Sequence, residues 1–249
     1  MEEENRMTAK NIAVVVGYHT YEVRAFQEML EGFEGLHCYI QHLEQFTSSP
    51  EEMRDSYDAV VFYTMEQRTP DEDRPWYEGR VKEAMDHLGE CGQGIVVLHH
   101  SLLAFENWPA WKKITGLDPV LYHDYGLDVS QRYHIVSDMH PVTRGMNDFE
   151  MTDEIYLCDR ITPLPGMEIL VASVDDSQCY TDARRAFRRI RRTSASMRSS
   201  FLLTGPFSGE NAHTHVHAAV QKCASEDVAV PTVQCCKRQM PEKLKGCLG

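Results

Sequence analysis

No stretch of about 18 consecutive apolar residues occurs in the 249-residue chain, so a membrane-spanning helix is excluded. The opening MEEENRMTAK is acidic and has no apolar core, so no secretory signal is expected. None of the eight cysteines stands in CxxC spacing, which argues against a zinc ribbon. Without an export signal, those thiols are expected to be reduced in a cytoplasmic setting. No GxGxxG or GxxxxGK[ST] follows an apolar run, leaving dinucleotide and P-loop binding unsupported. GxSxG is missing too; Ser101 falls beyond an elbow nucleophile's place and Cys91 falls before it. Basic residues are few, 25 Lys and Arg against 38 Asp and Glu. The net charge of −13 disfavours nucleic acid and anionic membranes as partners.

That charge is uneven. Residues 176–249 hold twelve Lys and Arg against six Asp and Glu, whereas residues 1–175 hold thirteen against thirty-two. Five cysteines and the run RRAFRRIRR also fall in the last third. The expected division is a disordered start at 1–10, one α/β domain at 11–175 and an atypical tail at 176–249.

Within the middle part, β-branched apolar runs alternate with helical spacing. NIAVVVG (11–17), LHCYIQHL (36–43), YDAVVFYTM (57–65) and GIVVL (94–98) read as strands. EVRAFQEMLEGF (22–33) and RPWYEGRVKEAMDHLGECG (74–92) read as helices, and WPAWKKITG as a helix stopped by Gly116. VLYHDYGLDV and RYHIVSDMHPV suggest strand-and-turn excursions, and EMTDEIYLCD and MEILVAS two further strands. Such alternation predicts a doubly wound, mostly parallel, flavodoxin-like α/β sheet. Ligands bind these sheets at the strands' carboxyl ends, which points to Tyr18-His19, Tyr63-Thr64 and Leu98-His99-His100.

Histidines gather at those ends. His99 occupies a strand-to-helix turn where many α/β enzymes keep a nucleophile. A helix starting at Ser101 would turn its positive end toward His99 and keep the imidazole neutral, fit to accept a proton or polarise a substrate. The plainer reading is a hydrogen-bonded structural histidine. His19 ends the first strand, His123 and Tyr125 lie in YHDYG, and Pro141 biases His140 toward extended backbone. Asp153 and Glu154 are neighbours on a strand, so only one can face the crevice. Four histidines and a carboxylate also suit a divalent metal, although no ligand spacing in the acidic part demands one. HTHVH (213–217) is read as a chance His-rich stretch. No cofactor is predicted.

These landmarks resemble, in order, the ThuA-like (trehalose-utilisation) family of the class I glutamine amidotransferase-like superfamily. The resemblance rests on VVVGYH to His19, YDAVVFYT, GIVVLH to His99, YHDYG with His123, and HPVTRGMNDFEMTDEIY with His140, Asp153 and Glu154. It covers about residues 11–174. It implies a histidine where the amidotransferases carry their cysteine, and imidazole cannot form the thioester that glutamine hydrolysis needs. Glutaminase activity is therefore not expected. The implied substrate is a small carbohydrate, a sugar or keto-sugar, with hydrolase- or lyase-type chemistry. His99 and an Asp153 or Glu154 carboxylate would be catalytic, and Tyr18, His19, His100, His123, Tyr125 and His140 would contact substrate. A non-catalytic sugar sensor is the competing class, an inactive product with a damaged C-terminus is a third, and a homo-oligomer fits any of them.

The tail departs from the family pattern, which continues with Tyr-Gly-Lys-(Gly/Ser)-Arg-Val, a Gly-His turn and a closing helix near a tryptophan. Here no Trp follows Trp111. A shifted reading frame or unspliced intron after about residue 176 accounts for this and for the charge reversal. It predicts that another frame of the coding DNA restores those motifs, and that the tail packs poorly. A divergent extension, or a basic amphipathic helix for RNA or anionic lipid, are the other readings. FLLTG (201–205) retains the pattern of a strand.

Overall fold

The computed structural model describes residues 9–70, 80–88, 92–163, 170–173 and 200–203. Each of the four apolar runs forms a strand: β1 (Lys10–Gly17), β2 (Leu36–His42), β3 (Ala59–Thr64) and β4 (Gly94–Leu98). Helix α1 (Val23–Glu31) links the first two. Two short helices, α2 (Leu43–Ser48) and α3 (Glu51–Asp55), connect β2 to β3. Helix α4 (Val81–Asp86) covers part of the 74–92 span and buries Val81, Ala84 and Met85 as its spacing requires. After β4 comes a 3₁₀ turn (His99–Leu103), then α5 (Pro109–Thr115), opened by proline and closed by Gly116 at φ 69°.

Both faces of the sheet are buried, and alternate residues of β1 show why. Ile12, Val14 and Val16 point into a cluster with Phe26, Met29 and Leu30 of α1. Ala13 and Val15 point the other way, to Leu43 and Phe46 of α2 and Met85 of α4. A strand buried on both faces reads as a continuous apolar run, which is what the sequence shows. Burying each large apolar side chain contributes about 1.5–3 kcal/mol.

The remaining strands are β5 (Leu117–Ile135), β6 (Phe149–Pro163), β7 (Val171–Ser173) and β8 (Ser200–Leu203). The central sheet has the order β2-β1-β3-β4-β8, and every pairing in it is parallel. The chain moves outward from β1 to β2 and then crosses to β3 on the other side, so the switch point lies between β1 and β3. VLYHDYGLDV and the RYHI of RYHIVSDMHPV, anticipated as separate strand-and-turn excursions, fall within one long strand, and VSDMHPV makes the turns that follow it. β5 pairs antiparallel with β6 and with β7, making a separate three-stranded sheet. Its root, Tyr133, Ile135 and Val171, packs into the cluster on the α1 side.

β8 lies in the atypical tail and matches the strand pattern of FLLTG. Its backbone pairs with β4, Ile95 with Ser200 through Leu98 with Leu203. The readings of RRAFRRIRR, HTHVH and the rest of the tail fall on residues outside the described ones, as does the reading of residues 1–8.

Candidate functional site

The carboxyl ends of β1, β3 and β4 each carry an unusual backbone feature or an anchoring bond. Gly17 closes β1 at φ 143°, and a Cβ there would sit 2.5 Å from the His42 Nε2 atom. Only glycine fits such an approach. Tyr18 follows at φ 59°, and His99, first after β4, has φ 48°. Left-handed backbone at a non-glycine residue costs about 1–3 kcal/mol and clusters at functional sites. Between them, the Thr64 amide donates to the Ser101 hydroxyl at 2.6 Å, and the Thr64 hydroxyl donates to the Gly17 carbonyl at 3.1 Å. Trp111 Nε1 donates to the Ser101 carbonyl at 3.1 Å. Ser101 thus ties the β3 end to the turn after β4 rather than opening an α-helix.

That turn delivers two buried imidazoles. His99 Nδ1 lies 3.4 Å from His100 Nδ1 and 3.0 Å from the Tyr156 hydroxyl. His99 Nε2 is 3.9 Å from a Glu154 carboxylate oxygen, which also lies 3.5 Å from the Tyr156 hydroxyl. His100 is sandwiched, its ring stacked on His19 at 4.0 Å and tilted against Tyr63 at 4.4 Å. The His19 Nδ1 lies 2.7 Å from the Thr20 carbonyl, so this nitrogen carries the proton and donates. The buried His100 Nε2 makes no aligned hydrogen bond.

Burial decides the charge of the pair. It lowers the His99 pKa to about 4; the Glu154 backbone carbonyl offsets part of this, and repulsion from His19 adds to it. Burial likewise lowers His100 to about 3, with repulsion from His19 and His99 added and the Tyr63 carbonyl opposing. Near neutral pH both rings are uncharged. The anticipated cause was a helix dipole, but the five-residue 3₁₀ turn supplies no such helix, and exclusion of water takes its place.

Of the residues singled out in the sequence, the fold brings together His19, His99, His100 and Glu154. Tyr18 stands beside them but turns to the β2 side, where its hydroxyl donates to Glu44 at 3.0 Å. Tyr125 is exposed and registers opposite Tyr156, on the same face of the β5–β6 ribbon. His140 serves a turn, its Nδ1 accepting the Val142 amide at 3.2 Å. The backbones of His123 and Asp153 belong to β5 and β6, and their side chains lie outside the described ones. Two groups went unnoticed in the sequence, Tyr156 and the Ser101 tie, whereas Tyr63 was marked only as a strand end. The i, i+2 rule on a strand would have found Tyr156, because it shares a face with Glu154.

Among the described residues, no three His, Cys, Asp or Glu side chains are placed to hold a metal ion. No helix of the described residues is long and apolar enough to cross a membrane.

The ThuA family model, described as trehalose utilisation, matches residues 15–191. The match runs past residue 176 into the atypical tail. The crystal structure of a ThuA-like protein from Parabacteroides merdae superposes with a TM-score of 0.60 at 14% identity, covering 94% of each chain. That likeness shows the shared fold. PurLQS from Thermotoga maritima gives a TM-score of 0.42 at 12% identity over 67% of this chain and 76% of its own. A glutamine amidotransferase from Methylobacillus flagellatus gives 0.41 at 12% identity over 66% and 62%. These two scores are too low to bear on the site. No curated protein matches.

Proposed function

The chain belongs to the ThuA family, described as trehalose utilisation, and from that premise we propose that it acts on a sugar or keto-sugar over the carboxyl end of the parallel sheet. The observation that carries this reading is the convergence of His19, His99 and His100 with Glu154 and Tyr156 beside the switch point. Sugars present hydroxyls that need both donors and acceptors, and neutral imidazoles, phenols and one carboxylate supply both.

In this reading His99 is the acid/base group. It meets the substrate uncharged, so one ring nitrogen is available to accept a proton from a hydroxyl or from carbon beside a carbonyl. The imidazolium that forms is stabilised by Glu154, whose carboxylate stands 3.9 Å from Nε2. Tyr156 holds the ring through Nδ1 at 3.0 Å. His19 contacts the substrate from the β1 side, and His100, buried behind it, backs the His19 ring. The reaction is of hydrolase or lyase type. A glutaminase is not proposed, because imidazole replaces the thiol that would form the acyl intermediate.

The low basicity of His99 and His100 also supports a second reading, a sensor that binds the carbohydrate without turning it over. Incubation with trehalose and with its keto derivative separates the two. An enzyme turns over one of them, and His99→Ala lowers the rate by about 10²–10⁴-fold. A sensor gives saturable binding and no product. Failure to bind or convert either sugar refutes the sugar reading. Loss of turnover on chelation would instead assign a divalent metal to the reaction.

A further inference from the structure

Beside the histidines, on the β2 side of the switch point, lies a second polar and aromatic group. Glu66, 3% exposed, holds Arg68 through its backbone amide and its guanidinium. The Arg68 amide donates to Glu66 Oε1 at 2.9 Å, its Nε to the same oxygen at 3.1 Å, and its Nη2 to Oε2 at 2.7 Å. This fixes the guanidinium, whose carbon stands 5.8 Å from the centre of the Tyr18 ring. Glu44 accepts from the Tyr18 hydroxyl at 3.0 Å, and the His42 ring flanks it at 5.2 Å. Burial, aided by Glu44, pushes the Tyr18 pKa up to about 12, so the phenol keeps its proton. Tyr18 is nonetheless 39% exposed.

An aromatic ring exposed to water but pinned at its hydroxyl and over one face is ordered before anything binds. Holding it in left-handed backbone and burying a carboxylate beneath it both cost stability. The chemistry offered is a flat apolar surface edged by a guanidinium and a carboxylate. A pyranose matches this, with C–H bonds on its face and hydroxyls at its rim. The group is continuous with the histidines, because Tyr18 and His19 are consecutive and diverge to opposite sides. From the β2 end to the β4 end, three strand spacings of about 4.8 Å make a strip roughly 14 Å long. One hexose ring cannot fill that length.

We propose that Tyr18, Glu44 and Arg68 form a second sugar-ring site, so that the sheet edge takes two linked rings, one here and one over His19, His99 and His100. The inference rests on the sugar reading of the histidine site. Calorimetric titration of the full chain with trehalose and glucose tests it. Arg68→Met alone would strand the buried Glu66 carboxylate, so the paired variant E66Q/R68M is used together with Glu44→Gln, and folding is checked by circular dichroism. Each is expected to raise the Kd for trehalose about tenfold, as His99→Ala also does, while glucose responds to only one of the two groups of variants. A trehalose Kd unchanged in both E44Q and E66Q/R68M overturns the second ring site and leaves the histidine site standing. A trehalose Kd unchanged in H99A overturns the histidine site, and the two-ring strip with it.

Discussion

His100 carries the clearest conflict between stability and purpose at the scale of a single residue. Its ring is fully buried, and its Nε2 makes no aligned hydrogen bond. An orphaned buried acceptor or donor costs about 1–3 kcal/mol, and an apolar replacement of similar shape avoids that cost. Phenylalanine retains the stacking against His19 and Tyr63. His100→Phe is therefore expected to leave stability in urea unchanged or to raise it by about 1 kcal/mol at pH 7, while sugar binding weakens. A large loss of stability would mean that the ring nitrogens serve the fold alone. His99 presents the same tension in its backbone: glycine would adopt φ 48° without strain, yet an imidazole stands there.

The β5–β6 ribbon brings the carboxylate and phenol to the site at the scale of elements. Its register jumps between Gly126 and Val129, so Leu127 and Asp128 together stand against Glu154. Asp128 takes φ 52° to do so. Such a bulge bends the strand and re-aims the side chains opposite it, here Glu154 and Tyr156. Deleting Leu127 should restore plain alternation and turn one arm of the ribbon over. The expected result is a folded protein in which the His99 ring resonances shift and turnover is lost; unchanged histidine spectra would deny the bulge this role. The same irregularity explains what the sequence concealed. Runs such as NIAVVVG and GIVVL reveal their strands because both faces are apolar, and Gly17 and Gly116 mark real ends. The ribbon was broken up in the reading because its bulges interrupt the period of two that identifies a strand. The expected helix at Ser101 failed for a different reason. Leu102, Leu103 and Phe105 have helical spacing, but the Phe105 amide is drawn to the Glu66 carbonyl at 2.7 Å. Tertiary bonds of this kind leave no mark in local spacing, and the same holds for the stack of His19 on His100.

At the scale of the whole molecule, the buried histidines make stability depend on pH. Unfolding frees their rings to titrate near 6.5, whereas in the folded chain they titrate at about 4 and 3. Between those values the unfolded state binds protons that the folded state does not. Above about pH 6.5 the rings are neutral in both states and carry no penalty; as pH falls, stability declines by about 1.4 kcal/mol per pH unit per histidine. The decline from His99 ends near pH 4 and that from His100 near pH 3. Urea unfolding at pH 7.5 and pH 5 should show this fall in the wild type, with a smaller difference when His99 and His100 are both replaced by glutamine. An equal difference would place the rings in water. The edge of the central sheet sets another global property. β8 covers β4, whose five residues are all buried. A chain cut after Ser173 lacks that cover and is expected to self-associate, which light scattering would detect. A monodisperse truncated monomer would show that β4 does not need it.

The partner of Ile95 is Ser200, about a hundred residues further along the chain. During translation, the first four strands leave the ribosome long before the segment that flanks them exists. For that interval the nascent sheet has a naked flank, and closing so distant a pairing is slow. A polypeptide released early would therefore present a sticky border, and it would fall to chaperones and proteases to intercept it.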